Sequence, residues 1–470
     1  MKRFLYLLAL LISGSGMYAQ KTDRLPNIVI IYIDDMGYGD ISPYNKEITY
    51  TPSFAWLAQN GLMFTDFYVS QAVCSASRTS LLTGCYSNRL GIHGALFPDS
   101  KVGLNPDETT IADMLKAKGY ATKAIGKWHL GYQPQFLPTR QGFDEYYGIP
   151  YSNDMWYKNS SGRKFPPLPL IENETTIDTI SEQSWFTQRF TEKAVDFISA
   201  YKSKPFFLYL AHPMPHIPIY VSEKFKGKSG KGLYADVIME LDWSVGEIIN
   251  TLKKYKLEKN TLLIVASDNG PWLPFGNHAG VTNGLRESKG TSWDGGVRVP
   301  CLMYWKGKLK KNVKVNMPLM MIDILPTIAS LVNAPLPEKK IDGINIWSYI
   351  EKPNQVKDFD RPLFIYYNTN ELQAMRWKNW KLYFPHTYNS MEGIMPGKEG
   401  KRVQAKAVKL EAMELYDLSK DEGEKINLTS QFPEIVNKMN AMADEIRKKI
   451  GDSLKNIKGT ENREPGRVTD

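Results

Sequence analysis

The feature that decides the fold is an apolar run near the start of the chain, IVIIYI at residues 28–33, followed directly by Asp34 and Asp35. A continuous run of β-branched residues is typical of a parallel strand that is buried on both faces of a sheet. A second run of this kind, TLLIVA at residues 261–266, ends just before Asp268 and Asn269. The sequence therefore predicts two central strands, and the carboxyl ends of such strands are where open α/β sheets bind ligands.

The polar residues at these two strand ends predict a cation site. Asp34, Asp35, Asp268 and Asn269 are all oxygen donors, with no His or Cys among them, which favours calcium or magnesium over zinc. Two adjacent acids repel each other unless a cation or an arginine joins them. The alternative is a loop turn that is merely capped by an aspartate.

A second reactive feature is the stretch CSASR at residues 74–78, followed by TSLLTG, which reads as the start of a helix. A helix N-terminus favours an anion, and a thiol at Cys74 beside the Arg78 guanidinium would ionise easily. Two structural alternatives are open. Cys74 packs a helix start while Arg78 is a surface charge, or Cys74 forms a disulfide with Cys85 in an oxidising compartment.

Two histidines and two lysines lie in loops that could reach the same place. Lys127 and His129 follow a predicted strand in the string GKWHLG, and on an extended segment they face the same side. His216 has prolines on both sides, which stiffen its loop. Lys289 lies in a Gly-rich loop, where the alternative is an ordinary solvated charge.

Composition sets wide limits on function. The chain has 470 residues, 42% hydrophobic and 23% charged, which is typical of one large or two ordinary globular domains. Its net charge of +9 and pI of about 9.0 suit an anionic ligand, and no nucleic-acid-binding motif occurs. Three cysteines cannot form a disulfide framework.

The first 20 residues are predicted to be a signal peptide. Lys2 and Arg3 precede a short apolar run at 5–12, a Ser-Gly break and Ala19 at a plausible cleavage site. This run, and every later one, is shorter than the ~20 residues needed to cross a bilayer. We therefore expect an exported protein, periplasmic or secreted, without a membrane span.

The remaining organisation comes from composition and periodicity. Residues 156–180 are polar and Pro-rich and are predicted to be a loop or an insertion, a good place for substrate contacts. Residues 455–470 are polar and predicted to be frayed. A charged stretch near 351–361 reads as a linker. The predicted division is a catalytic domain at 21–355 and a smaller domain at 356–470, the latter with short strands and a final helix from about Phe432.

Taken in order, these motifs resemble those of the sulfatase family. The matches are Cys-x-Ala-x-Arg before Leu-Thr-Gly, the Asp-Asp pair after the first strand, Gly-Lys-Trp-His-Leu-Gly, Pro-His-x-Pro and Asp-Asn-Gly, within residues 27–428. The resemblance implies an alkaline-phosphatase-like α/β sandwich. Its large central, mostly parallel sheet would be flanked by helices, with a small C-terminal α+β domain that contains an antiparallel sheet.

The resemblance also implies a mechanism. In the family, a maturation enzyme oxidises the motif cysteine to formylglycine, whose hydrate is the nucleophile that attacks a sulfate ester. Carried over by motif, the catalytic residues are Cys74, Arg78, Lys127, His129, His216 and Lys289. Substrate contacts fall to Ser152, Lys127, His216 and Lys289. Calcium, or magnesium in its place, is implied at Asp34, Asp35, the matured Cys74, Asp268 and Asn269.

Several points depart from the family pattern or leave alternatives. Ala76 stands where many members have Pro, and Cys85 stands where many have Arg, which we interpret as a change near the pocket. Phosphatases of the superfamily usually have His at the position of Asn269, so Asn269 favours a single hard cation over two zinc ions.

The predicted substrate is a sulfated saccharide. The alternatives are a phosphonate or phosphodiester hydrolase on the same scaffold and a non-enzymatic glycan-binding protein with unmatured Cys74.

Overall fold

The computed structural model of the protein describes residues 24–159, 162–356 and 359–468. The predicted signal peptide lies outside these residues. The strands are β1 Asn27–Ile33, β2 Leu62–Phe64, β3 Phe67–Tyr68, β4 Val102–Gly103, β5 Ala121–Lys127, β6 Glu145–Ile149, β7 Pro169–Glu172, β8 Thr175–Thr179, β9 Phe206–His212, β10 Thr261–Ser267, β11 Cys301–Tyr304, β12 Val313–Val315, β13 Leu319–Met320, β14 Pro362–Tyr367, β15 Glu371–Trp377, β16 Trp380–Tyr383, β17 His386–Ser390, β18 Lys406–Leu410, β19 Glu414–Asp417, β20 Gly451–Asp452, β21 Ile457–Lys458 and β22 Gly466–Arg467. The α-helices are α1 Pro52–Asn60, α2 Cys74–Thr83, α3 Ile111–Ala117, α4 Phe186–Tyr201, α5 Leu233–Lys254, α6 Asp294–Val297, α7 Ile324–Leu331, α8 Trp347–Glu351 and α9 Pro433–Ile450.

A large mixed sheet forms the centre of the protein. Its ten strands run in the order β12-β2-β11-β10-β1-β9-β5-β6-β7-β8, and the five central ones, from β10 to β6, are parallel. β1 is fully buried along its length and pairs with β10 and β9. The prediction of a large, mostly parallel sheet is therefore confirmed, with antiparallel strands added at its margins.

Two apolar layers cover the faces of this sheet, because successive residues of β1 point to opposite sides. Ile30 contributes to the layer that contains α2, α3 and α7, and Ile31 to the layer that contains α1, α4 and α5. The hydroxyls of Tyr32 on β1 and Ser77 on α2 lie 2.7 Å apart, which fixes the helix against the strand. This contact places Cys74 near the end of β1.

The C-terminal part contains a small antiparallel sheet of strands β14-β15-β16-β19, with α9 packed against β15. A buried lysine joins it to α6: the Lys381 amino group on β16 lies 2.6 Å from Asp294, the first residue of α6, and 3.1 Å from Glu424 of the C-terminal part. The small α+β unit with an antiparallel sheet is thus as predicted.

Of the two alternatives predicted for 156–180, a loop or an insertion, the loop is wrong for the second half of the segment. Strands β7 and β8 form a hairpin there and extend the large sheet at one edge. The turn uses Asn173, whose φ of +58° is in the left-handed region that Asn tolerates. Pro169 is the first residue of β7, a position where the absence of an N–H is tolerated, and this is why the proline did not prevent strand formation.

The prediction of a frayed C-terminus is also wrong. β22 pairs with β4, and the Arg463 guanidinium makes two 2.8 Å contacts with the Glu108 carboxylate. These partners come from the first quarter of the chain, and local composition carries no sign of them.

The Cys74–Cys85 disulfide is not formed, and the three cysteines are free and buried. Cys74 begins α2 and Cys85 follows its end. A helix of ten residues is about 15 Å long, whereas disulfide-bonded Cα atoms lie within about 7 Å. Among the described residues, no helix is both long enough and apolar enough to cross a membrane.

The tail contact generates a stability prediction. Arg463→Ala removes both hydrogen bonds that the guanidinium donates to the Glu108 carboxylate, which is only 4% exposed. We therefore expect the free energy of unfolding to fall by about 1–3 kcal/mol. Urea unfolding followed by tryptophan fluorescence measures the change. The matched control is Arg467→Ala, which breaks only an exposed ion pair with Glu464 and should change stability by less than about 0.5 kcal/mol. Equal losses in both variants would contradict this role of the tail.

Candidate active site

The predicted site residues meet at one edge of the large sheet, because the parallel strands end there together. Asp34 follows β1, Lys127 ends β5, Ser152 follows β6, and His216 and Asp268 follow β9 and β10. The register pairs Ile33 with Ser267, which sets the two strand-end acids side by side.

Cys74 is the first residue of α2 and is 2% exposed. Its thiol lies 3.3 Å from an Asp34 carboxylate oxygen and 3.5 Å from the Lys289 amino group. Lys289 belongs to the loop before α6, so three separate segments converge on the sulfur.

The expectation of an easily ionised thiol is wrong for the unmodified residue. Burial, and then the negative charge of Asp34, raise the pKa of Cys74 far above its usual value, and these effects outweigh Lys127 and Lys289. The Arg78 guanidinium does not pair with the sulfur. Its Nη2 donates to Asp268 at 2.8 Å and its Nη1 to the Lys127 carbonyl at 3.0 Å.

Arg78 is therefore a buried structural cation rather than the surface charge of the alternative interpretation. It is fully buried, and the Asp268 carboxylate that it holds also accepts the backbone N–H of Asp35 at 3.1 Å. Burial, and then the neighbouring Asp34, raise the pKa of Asp268 to about 7.

The two lysines are not solvated charges either. Lys127 donates to an Asp34 oxygen and, at 3.0 Å, to the Ser152 hydroxyl. Lys289 lies 2.7 and 2.8 Å from the two Asp35 oxygens. Although burial alone would raise the pKa of Asp34, Lys127, His216 and Arg78 hold it well below its usual value.

The two histidines present one ring nitrogen each to the site. His216 donates from Nδ1 to the Ile217 carbonyl at 2.6 Å, and its Nε2 lies 3.7 Å from Asp35. His129 donates from Nε2 to the Leu96 carbonyl at 2.9 Å, and its buried Nδ1 has no hydrogen-bond partner among the described residues. The prediction of an extended segment at His129 is wrong, because His129 has a φ of +64°, in the left-handed region.

His212, four residues before His216, has no such role. It is fully buried, and its Nε2 lies 2.9 Å from the Ser244 hydroxyl.

The strand-end groups fit a hard cation. Ligand atoms of Asp34, Asp35, Cys74 and His216 lie within 4.8 Å of one another. Asn269 donates its amide N–H to Asp35 at 2.7 Å, while its buried Oδ1 has no hydrogen-bond partner in the part of the chain that the structure describes. An orphaned amide oxygen beside buried carboxylates is the donor chemistry that Ca²⁺ and Mg²⁺ prefer. Asp268 lies next to this cluster but is engaged by Arg78.

A cavity of about 280 Å³ opens onto Cys74. Of the predicted residues, its lining includes Cys74, His129, Ser152, His216 and Lys289.

Sequence reasoning missed the outer wall of this cavity, formed by Phe97, Asp154, Trp272, Tyr367, Asn389 and Arg402. Trp272 lies three residues after Asn269, and this short separation from the strand end is a signal that could have predicted its position near the site. The last three residues come from the C-terminal part, and no local signal marks them. Cys85, interpreted as a change near the pocket, does not line it. Its sulfur lies 3.4 Å from the Arg463 guanidinium, beside the C-terminal tail.

Comparisons with known proteins agree with this arrangement. The family model described as Sulfatase matches residues 26–334, and the model described as the C-terminal region of aryl-sulfatase matches residues 360–465. The chain is 35% identical to arylsulfatase A of Homo sapiens over 434 residues, which cover 86% of this chain and 83% of the relative.

Two solved structures extend the likeness to three dimensions. The PsFucS1 sulfatase from Pseudoalteromonas sp. has a TM-score of 0.79 at 27% identity and covers 90% of this chain and 91% of its own. The structure of Ps i-CgsB in complex with k-i-k-neocarrahexaose has a TM-score of 0.77 at 27% identity and covers 95% of each chain. Because the family model spans more than half of the sequence and the fold agrees, the chain belongs to the sulfatase family and hydrolyses sulfate esters.

Proposed function

We propose that the protein removes sulfate from a sulfated carbohydrate, with Cys74, matured to formylglycine, as its catalytic centre. The observation that carries this proposal is the position of Cys74. It is the first residue of a buried helix, lines a cavity, and its sulfur lies 3.5 Å from the amino group of Lys289, one of two lysines at the site. A cysteine whose thiol is held un-ionised by burial is poorly suited to act as a thiolate, which favours a modified side chain at this position.

The lysines are placed to bind the sulfate group. Lys127 and Lys289 approach Cys74 and the two strand-end carboxylates from different segments. Their ammonium groups can donate to the oxygens of a sulfate held over Cys74, and Ser152 holds Lys127 in place at 3.0 Å. Donors arranged in advance in a water-poor site stabilise developing charge without further reorganisation.

The nucleophile depends on a partner enzyme. A maturation enzyme converts Cys74 to formylglycine, and its hydrate supplies the oxygen that attacks sulfur. The unpartnered Nδ1 of His129 is an acceptor that can orient a hydroxyl at this position. Arg78 acts indirectly, because it fixes Asp268 and the Lys127 carbonyl.

His216 is the proposed proton donor to the leaving alcohol. Burial, and then Lys289, lower the pKa of His216 to about 3, so its ring is neutral in the free protein. A sulfate ester bound at the two lysines brings a negative charge that offsets theirs and favours the protonated ring. The donating atom is then Nε2, because Nδ1 is held by the Ile217 carbonyl.

The proposed cation is calcium, or magnesium in its place, held by Asp34, Asp35, Asp268, Asn269 and the matured Cys74. When bound, it draws charge from the sulfate oxygens. The support for it is the buried cluster of Asp34, Asp35, Cys74 and His216 and the Asn269 oxygen that lacks a hydrogen-bond partner among the described residues.

The proposed carbohydrate substrate is supported by a structural relative and by the net charge, and the proposed export is supported by the N-terminal sequence. A structural relative contains a carrageenan-type oligosaccharide, as its name states, and the net charge of +9 suits an anionic substrate. The apolar run at 5–12 supports export to the periplasm or the medium.

The first test is release of inorganic sulfate from a panel of sulfated mono- and oligosaccharides. The protein is produced together with a maturation enzyme, and conversion of Cys74 is verified by mass spectrometry. We expect release by the wild type and none by Cys74→Ala, with unchanged circular dichroism. The matched control is Cys301→Ala, which removes a buried thiol from β11 outside the cavity lining and should retain activity. Hydrolysis of phosphorus esters in preference to sulfate esters would overturn the proposal.

A second prediction concerns the proton donor. His216→Asn should slow hydrolysis of an alkyl or sugar sulfate by about 10²–10⁴-fold, because a poor leaving group needs protonation. Hydrolysis of 4-nitrophenyl sulfate, whose leaving group departs as an anion, should slow by less than about tenfold. Steady-state kinetics of one variant on both substrates provide the internal control. An equal loss on both would show that His216 does not supply the proton.

A third prediction concerns the cation. Wild-type protein should retain about one Ca²⁺ or Mg²⁺ per chain by mass spectrometry of metals, and chelation should abolish activity and lower the Tm, both restored by the cation. Asn269→Ala should lower metal retention, because it removes a ligand. Ser152→Ala leaves all four strand-end ligands in place and should keep the metal. Full activity after thorough chelation, or two bound zinc ions, would contradict the site.

A further inference from the structure

A second cavity adjoins the one that opens onto Cys74. It has a volume of about 430 Å³, and it shares Asp154, Trp272 and Arg402 with the first cavity. Its own lining includes Lys401 and Gly400 from the C-terminal part. Since the three shared residues stand at the boundary, a ligand that extends out of the first cavity past them enters the second.

Trp272 connects the catalytic residues to this boundary. The Lys289 amino group lies 4.7 Å from the centre of its ring, and the ring of His216 is 5.7 Å away. The Arg402 guanidinium carbon lies 5.3 Å from the same ring centre. The indole is half-buried and therefore offers an aromatic surface beside the place where the sulfate is cleaved.

Arg402 is held in this position by the backbone around it. The N–H groups of Gly397 and Val403 both donate to the Pro274 carbonyl, at 3.2 and 3.1 Å. Pro274 is two residues after Trp272, so the arginine and the indole are carried by segments that are hydrogen-bonded to each other. Arg402 is exposed, and no carboxylate of the described residues forms an ion pair with it.

Asp154 supplies a hydrogen-bond acceptor at the same boundary. Its Oδ1 is buried and has no partner among the described residues. A buried acceptor without a partner costs free energy, which a ligand hydroxyl would recover by donating to it. Sugar hydroxyls are donors of this kind.

We propose that Asp154, Trp272 and Arg402 form a subsite for the sugar next to the sulfated one. The substrate is then an acidic oligosaccharide of at least two residues, whose neighbouring sugar carries a carboxylate or a second sulfate. Asp154 accepts a hydroxyl, Trp272 packs against the sugar ring, and Arg402 pairs with the anionic group. This inference rests on the proposed carbohydrate sulfatase function and names the substrate class of that site.

The test measures binding separately from turnover. Calorimetry in the Cys74→Ala background uses four probes that share one sulfated hexosamine: alone, linked to a neutral hexose, linked to a uronic acid, and linked to a sulfated hexose. We expect Arg402→Gln to weaken binding of one or both acidic disaccharides by about 3- to 30-fold, and less at high salt. Binding of the monosaccharide and the neutral disaccharide should change by less than about twofold. The probe that responds identifies the anionic group as carboxylate or sulfate.

The matched control is Lys406→Gln, which removes the same charge from an exposed position on β18 outside both cavities. It should leave all four affinities unchanged, which separates a local contact from the net charge of the protein. Trp272→Ala should weaken binding of all three disaccharides. Equal affinities of Arg402→Gln and its parent for every acidic probe would overturn the subsite. Absence of sulfate release by matured wild type, with these binding differences present, would overturn only the proposed function.

Discussion

Six charges at one edge of the central sheet, five of them buried and that of Lys289 nearly so, must compensate one another, and the rest of the site depends on this balance. Three carboxylates, Asp34, Asp35 and Asp268, face three cations, Arg78, Lys127 and Lys289. Burying an unpaired charge is costly, whereas pairs that are fully hydrogen-bonded persist in the interior. The proposed divalent cation and a sulfate ester carry charges of opposite sign, so together they would add little net charge to this cluster.

The sheet explains why such a cluster can form at all. Five parallel strands end at one edge, and each delivers its polar residue to the same place from a different part of the sequence. The helix that starts at Cys74 is fixed to β1 through Ser77 and Tyr32, so the reactive residue has the same rigid support as the acids. Sites carried by the ends of core elements keep their geometry better than sites on free loops.

Much of this could be predicted from sequence, and the failures have a common physical cause. The apolar runs at 28–33 and 261–266 correctly predicted two central strands and the acids that follow them, because a buried strand has a pattern that is local in sequence. The ionisation of Cys74 was predicted wrongly, because its burial is set by elements distant in sequence, and burial outweighs the helix N-terminus. Arg402 and the C-terminal tail were missed for the same reason, since their partners, Trp272 and Glu108, are more than 100 residues away.

The pairing of Arg463 with Glu108 also limits when this part of the chain can fold during synthesis. The two residues are 355 positions apart, so a growing chain completes α3 and most of the large sheet long before the guanidinium that Glu108 requires has been made. Until then Glu108 has only the longer contact with Lys339, at 3.5 Å, and β4 cannot pair with β22. Contacts of such long range slow folding, because the chain must close a large loop before the contact contributes. Residues 463–467 therefore make these contacts late in folding, and a chain truncated before residue 463 would lack both the Arg463–Glu108 contact and the pairing of β22 with β4.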